Sequence, residues 1–138
     1  MAHAGQVIEG RAGFRLKLLR TAAETGGELL EMEASYPGGA GMPPEHLHPS
    51  QAEHFEVLEG TILAVIDGVE RRYETGDTID VPPGTPHTMG PTDGPARTRW
   101  EVRPALRTAE FFERLHGDPS QIGDVLADFS DEFRLTDG

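Results

Sequence analysis

The sequence predicts an all-β sandwich or barrel with short helices at its C-terminal end. Three observations carry this. Short stretches recur in which every second residue is apolar, the period of a half-buried strand. Between them, 17 Gly and 11 Pro are scattered at the spacing of tight turns. After Pro104 the apolar period lengthens to that of a helix, with Phe111, Phe112 and Leu115 on one side. The 138 residues suffice for one domain with a sizeable core.

Taken in order, Gln6-Val7-Ile8-Glu9 reads as a short strand with no obvious partner inside a closed barrel. Phe14 to Leu18 alternates as a strand, Thr21 to Gly27 reads as a turn, and Glu28 to Tyr36 is a second strand with Leu30, Met32, Ala34 and Tyr36 on one face. Pro37 to Gly41 ends it. Phe55 to Leu58 and Thr61 to Ile66 flank Glu59-Gly60, and Asp67-Gly68 is a two-residue hairpin turn, because both positions tolerate positive φ. Val69 to Thr75 returns, Thr78 to Val81 is a short strand, and Pro82-Pro83-Gly84 turns the chain again. Thr85 to Gly90 is a strand, Pro91 to Pro95 a loop, and Arg97 to Arg103 the last long strand. Thr108 is placed to cap a helix, and Asp118-Pro119-Ser120-Gln121 opens another, followed by Ile122, Val125, Leu126 and Phe129 at helical spacing. Residues 1–105 are therefore expected to form the β domain, and residues 106–138 a helical extension packed on it.

The formal net charge of −12, from 24 acidic and 12 basic residues, disfavours nucleic acid and anionic membrane as partners. There is no cysteine, so disulfides and thiolate ligands are excluded and His and carboxylate remain as metal ligands. No basic and apolar leader pattern opens the chain and no apolar run approaches a membrane span, so a soluble, cytoplasmic protein is expected. No nucleophile–His–acid arrangement and no Gly-rich phosphate loop after a strand is recognisable.

The chemistry concentrates between His46 and His87. His46 and His48 are two residues apart, so on a strand they point to one face. Pro49-Ser50 breaks that strand, so the next can start with Glu53 facing inward. His87 arrives from a distant strand after the stiff turn of Pro82-Pro83-Gly84-Thr85-Pro86. Together His46, His48, Glu53 and His87 suit one divalent transition metal, Fe, Mn, Ni, Cu or Zn, with open coordination positions as in a catalytic site. The competing reading is a cluster of half-buried polar side chains. His54 would take the place of Glu53 if the strand register slipped by one residue. Phe55, Val57, Met89, Trp100 and Val102 are expected to face the interior, and Arg97, Arg99 and Arg103 the outside. Phe55, Met89, Trp100, Met42 and Tyr36 are the candidates for a substrate pocket, and His3 and His116 are expected in solvent.

These motifs resemble those of the cupins. Their first motif spaces His-x-His, four residues, Glu, six residues and Gly as His46-Leu47-His48, Glu53 and Gly60 are spaced here. Their second spaces Gly, Pro-x-Gly and His as Gly76, Pro82-Pro83-Gly84 and His87. Gly41 is one residue nearer the His pair than the pattern asks, and Pro91 stands where the pattern has Asn. The similarity covers residues 41–91, and the helical extension resembles one seen in small single-domain bacterial cupins. The resemblance implies a double-stranded β-helix, or jelly-roll barrel of the RmlC-like kind, with His46, His48, Glu53 and His87 as metal ligands. It implies a small-molecule ligand and a metal-dependent enzyme, dioxygenase-like or isomerase- or cyclase-like, acting on an oxygen-bearing substrate. A non-catalytic metal-anchored sensor and a metal-free sugar epimerase of the same barrel are the alternatives, the last disfavoured by the complete ligand set. A homodimer is expected as well, since two short helices cannot cover the outer faces of both sheets and the strand at residues 6–9 lacks a partner.

Overall fold

The computed structural model describes residues 2–136, apart from the side chain of Arg11. Nine strands are found among them: β1 (Val7–Glu9), β2 (Arg15–Arg20), β3 (Leu30–Tyr36), β4 (His46–Leu47), β5 (Ala52–Ile66), β6 (Val69–Tyr73), β7 (Thr78–Val81), β8 (His87–Arg103) and β9 (Arg134–Leu135). Helices α1 (Ala22–Thr25), α2 (Thr108–Leu115) and α3 (Ile122–Asp128) complete the molecule with two short 3₁₀ turns. The all-β class and the C-terminal helices are as the sequence predicts.

Two long strands are shared by two facing sheets. One half of β5, residues 52–59, pairs with residues 97–103 of β8, and the other half, residues 61–66, with residues 87–92. Each half recruits different neighbours. The first carries β7 on β5, and β3, β2 and β1 beyond β8. The second carries β6 on β5, and β4 and β9 beyond β8. This is a jelly roll, with every ladder antiparallel. The sequence suggested four separate strands here and a loop at 91–95. The structure instead keeps each pair continuous through an irregular corner, where Gly60 (φ 78°), Asp93 (φ 64°) and Gly94 (φ 124°) bend the chain without ending the pairing. At the Asp67-Gly68 turn both residues have positive φ, 51° and 79°, as the hairpin requires.

Inward residues fall in register across the first sheet. Leu30 lies opposite Val102 and that residue opposite Glu53; Met32, Trp100 and Phe55 form the next row. Directly opposed residues share a face. Phe55, Val57, Ile62, Ala64, Ile79, Val81 and Met89 fill the space between the sheets. Over β2 and β3 the second sheet does not reach. There Leu16, Leu18, Leu30, Met32 and Val102 are covered by Phe111 and Phe112 of α2 and by Val125 and Phe129. The helices thus close the inner face rather than shield the outer one.

The outer face needs no cover. Arg99 reaches Glu31, Glu56 and Glu101, and Arg97 reaches Glu33 and Glu59, in a ladder of ion pairs. Such half-buried surface pairs stay open to solvent screening and contribute about 0–1 kcal/mol each, so their effect is solubility more than stability.

Four local expectations are corrected. The strand at residues 6–9 does have a partner, since Val7–Glu9 pairs with Arg15–Lys17 of β2. Residues 21–27 contain helix α1, opened by Glu24 Oε1 accepting from Thr21 N at 2.7 Å and ended by Gly26 at φ 64°. Thr108 does not cap α2 but is its first residue, and its buried hydroxyl accepts from Gln51 Nε2 at 2.8 Å. His116 is half-buried between the rings of Phe14 and Phe112.

Candidate metal centre

His46 opens β4, His48 follows it directly, and His87 opens β8 opposite His46. The turn before His87 is tied down by Gly84 N donating to His48 O at 2.8 Å, so the two histidine-bearing segments are fixed against each other. Each imidazole then contributes one nitrogen to a single cluster whose members lie within 4.8 Å of one another. Glu53 enters from the inward row of β5 and is 3% exposed. Its Oε1 lies 3.2 Å from His48 Nε2 and 2.9 Å from His87 Nε2. The structure therefore brings together all four residues the sequence singled out. His54 faces the other way, its Nδ1 2.7 Å from Asp80 Oδ1, so the slipped register is not adopted.

The outer nitrogens are committed. His46 Nδ1 lies 3.0 Å from Pro44 O, His48 Nδ1 2.7 Å from Glu132 O, and His87 Nδ1 2.9 Å from Thr85 O. A carbonyl can only accept, so each Nδ1 carries a proton, and Nε2 is the nitrogen each ring turns inward. When the rings are neutral, the Nε2 lone pairs of His48 and His87 face Glu53 Oε1, which is also an acceptor. His48 Nε2 and Glu53 Oε1 are both buried and neither makes a well-aligned hydrogen bond. Acceptors facing acceptors out of water are costly, and either a proton on His48 or a metal ion between them relieves the conflict. The donor set thus fits a divalent transition metal.

In the metal-free protein a proton shared between His48 and Glu53 supplies that relief. Burial pushes the Glu53 carboxyl up, but its contacts with His48 and His87 outweigh that and hold it well below the usual carboxylate range. Burial, reinforced by His87, drives His46 down to about 4, so it is neutral and ready to ligate. Burial also pulls His48 down, yet its contact with Glu53 prevails and leaves it raised.

The five pocket candidates separate. Trp100 Nε1 donates to Glu53 Oε2 at 2.7 Å, which orients the carboxylate. Phe55 stacks on Trp100 with centroids 5.1 Å apart. Met89 is buried in the core between the sheets, and Tyr36 is half-buried against both core clusters and Phe14. Met42 is exposed, with its loop close to Gly90.

Sequence reasoning missed the C-terminal contribution. Glu132 supplies the acceptor for His48, and Phe133 stacks on His46 with centroids 4.6 Å apart and meets His48 edge-on. Both residues lie beyond the helical period of α3, and nothing in their spacing signals a return to the barrel.

Known proteins resemble this chain in sequence and in fold. The family model described as "Cupin domain" matches residues 32–100, half of the chain, a span that holds His46, His48, Glu53 and His87. A protein of Aspergillus niger named "Probable oxidoreductase yanE" is 36% identical over 91 residues, covering 58% of this chain and 35% of its own. The chain thus spans about a third of that relative's length. Among solved structures, KdgF from Halomonas sp. superposes with a TM-score of 0.65 at 16% identity, over 79% of this chain and 94% of that one. An RmlC-like cupin from Shewanella frigidimarina gives 0.65 at 20% identity, over 79% and 92%. At such identities the structural likeness speaks to fold alone. With the jelly roll, the two motifs and the family match all in agreement, this chain belongs to the cupins.

Proposed function

We propose that this cupin is a metal-dependent enzyme acting on a small oxygen-bearing organic molecule, with one divalent transition metal per chain held by His46, His48, Glu53 and His87. The observation that carries the reading is the convergence of His48 Nε2 and His87 Nε2 on a buried carboxylate oxygen beside His46, a donor cluster that a metal ion can occupy by displacing the proton of His48. A bound metal would supply Lewis acidity toward an enolate, enediol or hydroxyaromatic and, if redox-active, a route to dioxygen chemistry. Around it, the carbonyls of Pro44, Thr85 and Glu132 hold the imidazoles in one tautomer, and Trp100 holds Glu53. The relative of oxidoreductase name supports the redox version, a dioxygenase, over isomerisation or cyclisation. We propose further that two chains associate as a homodimer.

Metal analysis of protein purified without added metal, followed by oxygen-uptake screening on enolisable and hydroxyaromatic compounds, tests this. About one ion per chain is expected, because the ligands define a single centre. His48→Ala and His87→Ala should lose it and His54→Ala should keep it. Metal-free wild type, or full metal in the His87 variant, would refute the assignment. Turnover of the same compounds without oxygen uptake would select isomerisation, and binding without turnover a sensor.

A further inference from the structure

We propose that the C-terminal strap, residues 132–136, is a working part of the metal centre, and that the Arg107–Glu132 pair is the latch that closes it. The inference rests on the metal reading above and concerns what orients two of the ligands.

The strand that bears the first histidine is weakly held. β4 has two residues, and its pairing with β8 is the single register His46 opposite His87. Its other edge is occupied by the strap: Leu135 pairs with His46 and Arg134 with Leu47. Thr136 extends the zipper, its N donating to Glu45 O at 3.2 Å and its Oγ1 to Glu45 Oε1 at 2.7 Å. Phe133 is clamped between His46 and Phe111 of α2, with centroids 4.6 and 4.9 Å away. One residue earlier, the carbonyl of Glu132 fixes the tautomer of His48. The strap therefore holds His46 by stacking and strand pairing, and His48 by a hydrogen bond.

The strap is itself held by a buried carboxylate. Glu132 is 3% exposed, and Arg107 grips it with its backbone N at 3.2 Å, Nε at 3.4 Å and Nη2 at 3.1 Å. The same Nη2 donates to Asp128 O at 2.7 Å. Arg107 stands at the start of α2, on the barrel side of the extension, so it fastens the strap to the first helix of the extension. Carboxylate and carbonyl belong to one residue, so releasing the grip frees the acceptor of His48. Arg107, Glu132 and Phe133 are positioning residues. Because the closed strap pre-orients the ligands, metal binding must in turn favour the closed strap by the same factor.

Cobalt(II) is the probe, with affinity read by chelator competition, ligand-field absorption recorded, and amide exchange of residues 132–136 followed with and without metal. Arg107→Ala should weaken cobalt binding about tenfold, as loss of a ligand-orienting partner does, and shift the absorption bands. Arg107→Lys should recover part of that. Arg114→Ala is the control: Arg114 also lies over the Phe129 ring and pairs with Asp128, but is not part of the grip on Glu132. It should bind cobalt like wild type. In wild type, cobalt should slow exchange across the strap. Equal losses in the Arg107 and Arg114 alanine variants would mean general destabilisation and overturn the latch. Wild type that binds cobalt with unchanged strap exchange would overturn the coupling and, by reciprocity, the claim that the strap pre-orients the ligands. Wild type that binds no cobalt would overturn the metal reading and this proposal with it.

Discussion

His48 shows how one residue is placed between two demands. Its outer nitrogen gives a proton to Glu132 O, and its inner nitrogen faces Glu53. In metal-free protein the Glu53 contact raises its pKa above 6.5, overcoming burial. A raised folded value stabilises the fold fully below the unfolded value, and that gain is lost as pH rises through the folded value. Glu53 is the opposite case. Its depressed value gives stability above 4.5 that fades as pH falls toward the folded value. A metal must displace the His48 proton, so acid favours the metal-free form. The melting-temperature gap between metal-loaded and metal-free protein should therefore shrink from pH 7 to pH 5. A constant or widening gap in calorimetry would contradict this.

At the scale of elements, the bent pair β5 and β8 decides the geometry. Its corner brings Pro95 and Ala96 onto the backbone of Gly60, where an added Cβ would collide with Pro95 O and sit 3.0 Å from Ala96 Cα. Gly60 also has φ 78°, a conformation that costs a non-glycine residue about 1–3 kcal/mol. Gly60→Ala should lower unfolding stability by at least that strain, read from urea midpoints. Because residues 52–59 carry Glu53 while the paired β8 carries His87 at its far end, opening the corner should also weaken metal binding. A variant with wild-type stability would show that the corner relaxes freely.

At the scale of the whole molecule, the charged ladder on the outer face removes the original reason for a dimer, a shortage of cover. An edge remains. β1 lies at the end of its sheet, pairs with β2 on one side, and among the described residues has no strand on the other, with Val7 40% exposed. An open edge is a template for a second chain, while a net charge of −12 opposes contact at low salt. Light scattering at micromolar protein should give twice the 15.0 kDa chain mass, with a larger dimer fraction as salt rises. A mass of 15.0 kDa at every salt concentration would rule the homodimer out.

The sequence alone determined much of what depends on local pattern. Alternation placed Leu30, Met32 and Ala34 inward, Asp67-Gly68 announced its turn through φ tolerance, and the motif spacing picked out His46, His48, Glu53 and His87. Local pattern cannot say what a chain end returns to. The partner of β1, the joining of β5 and of β8 through their corners, and the placing of Glu132 and Phe133 on two candidate ligands were decided by tertiary structure. The physical reason is range. Periodicity reports which side of a segment is buried, whereas the acceptor for His48 lies 84 residues away, and the folded barrel must form before the two can meet.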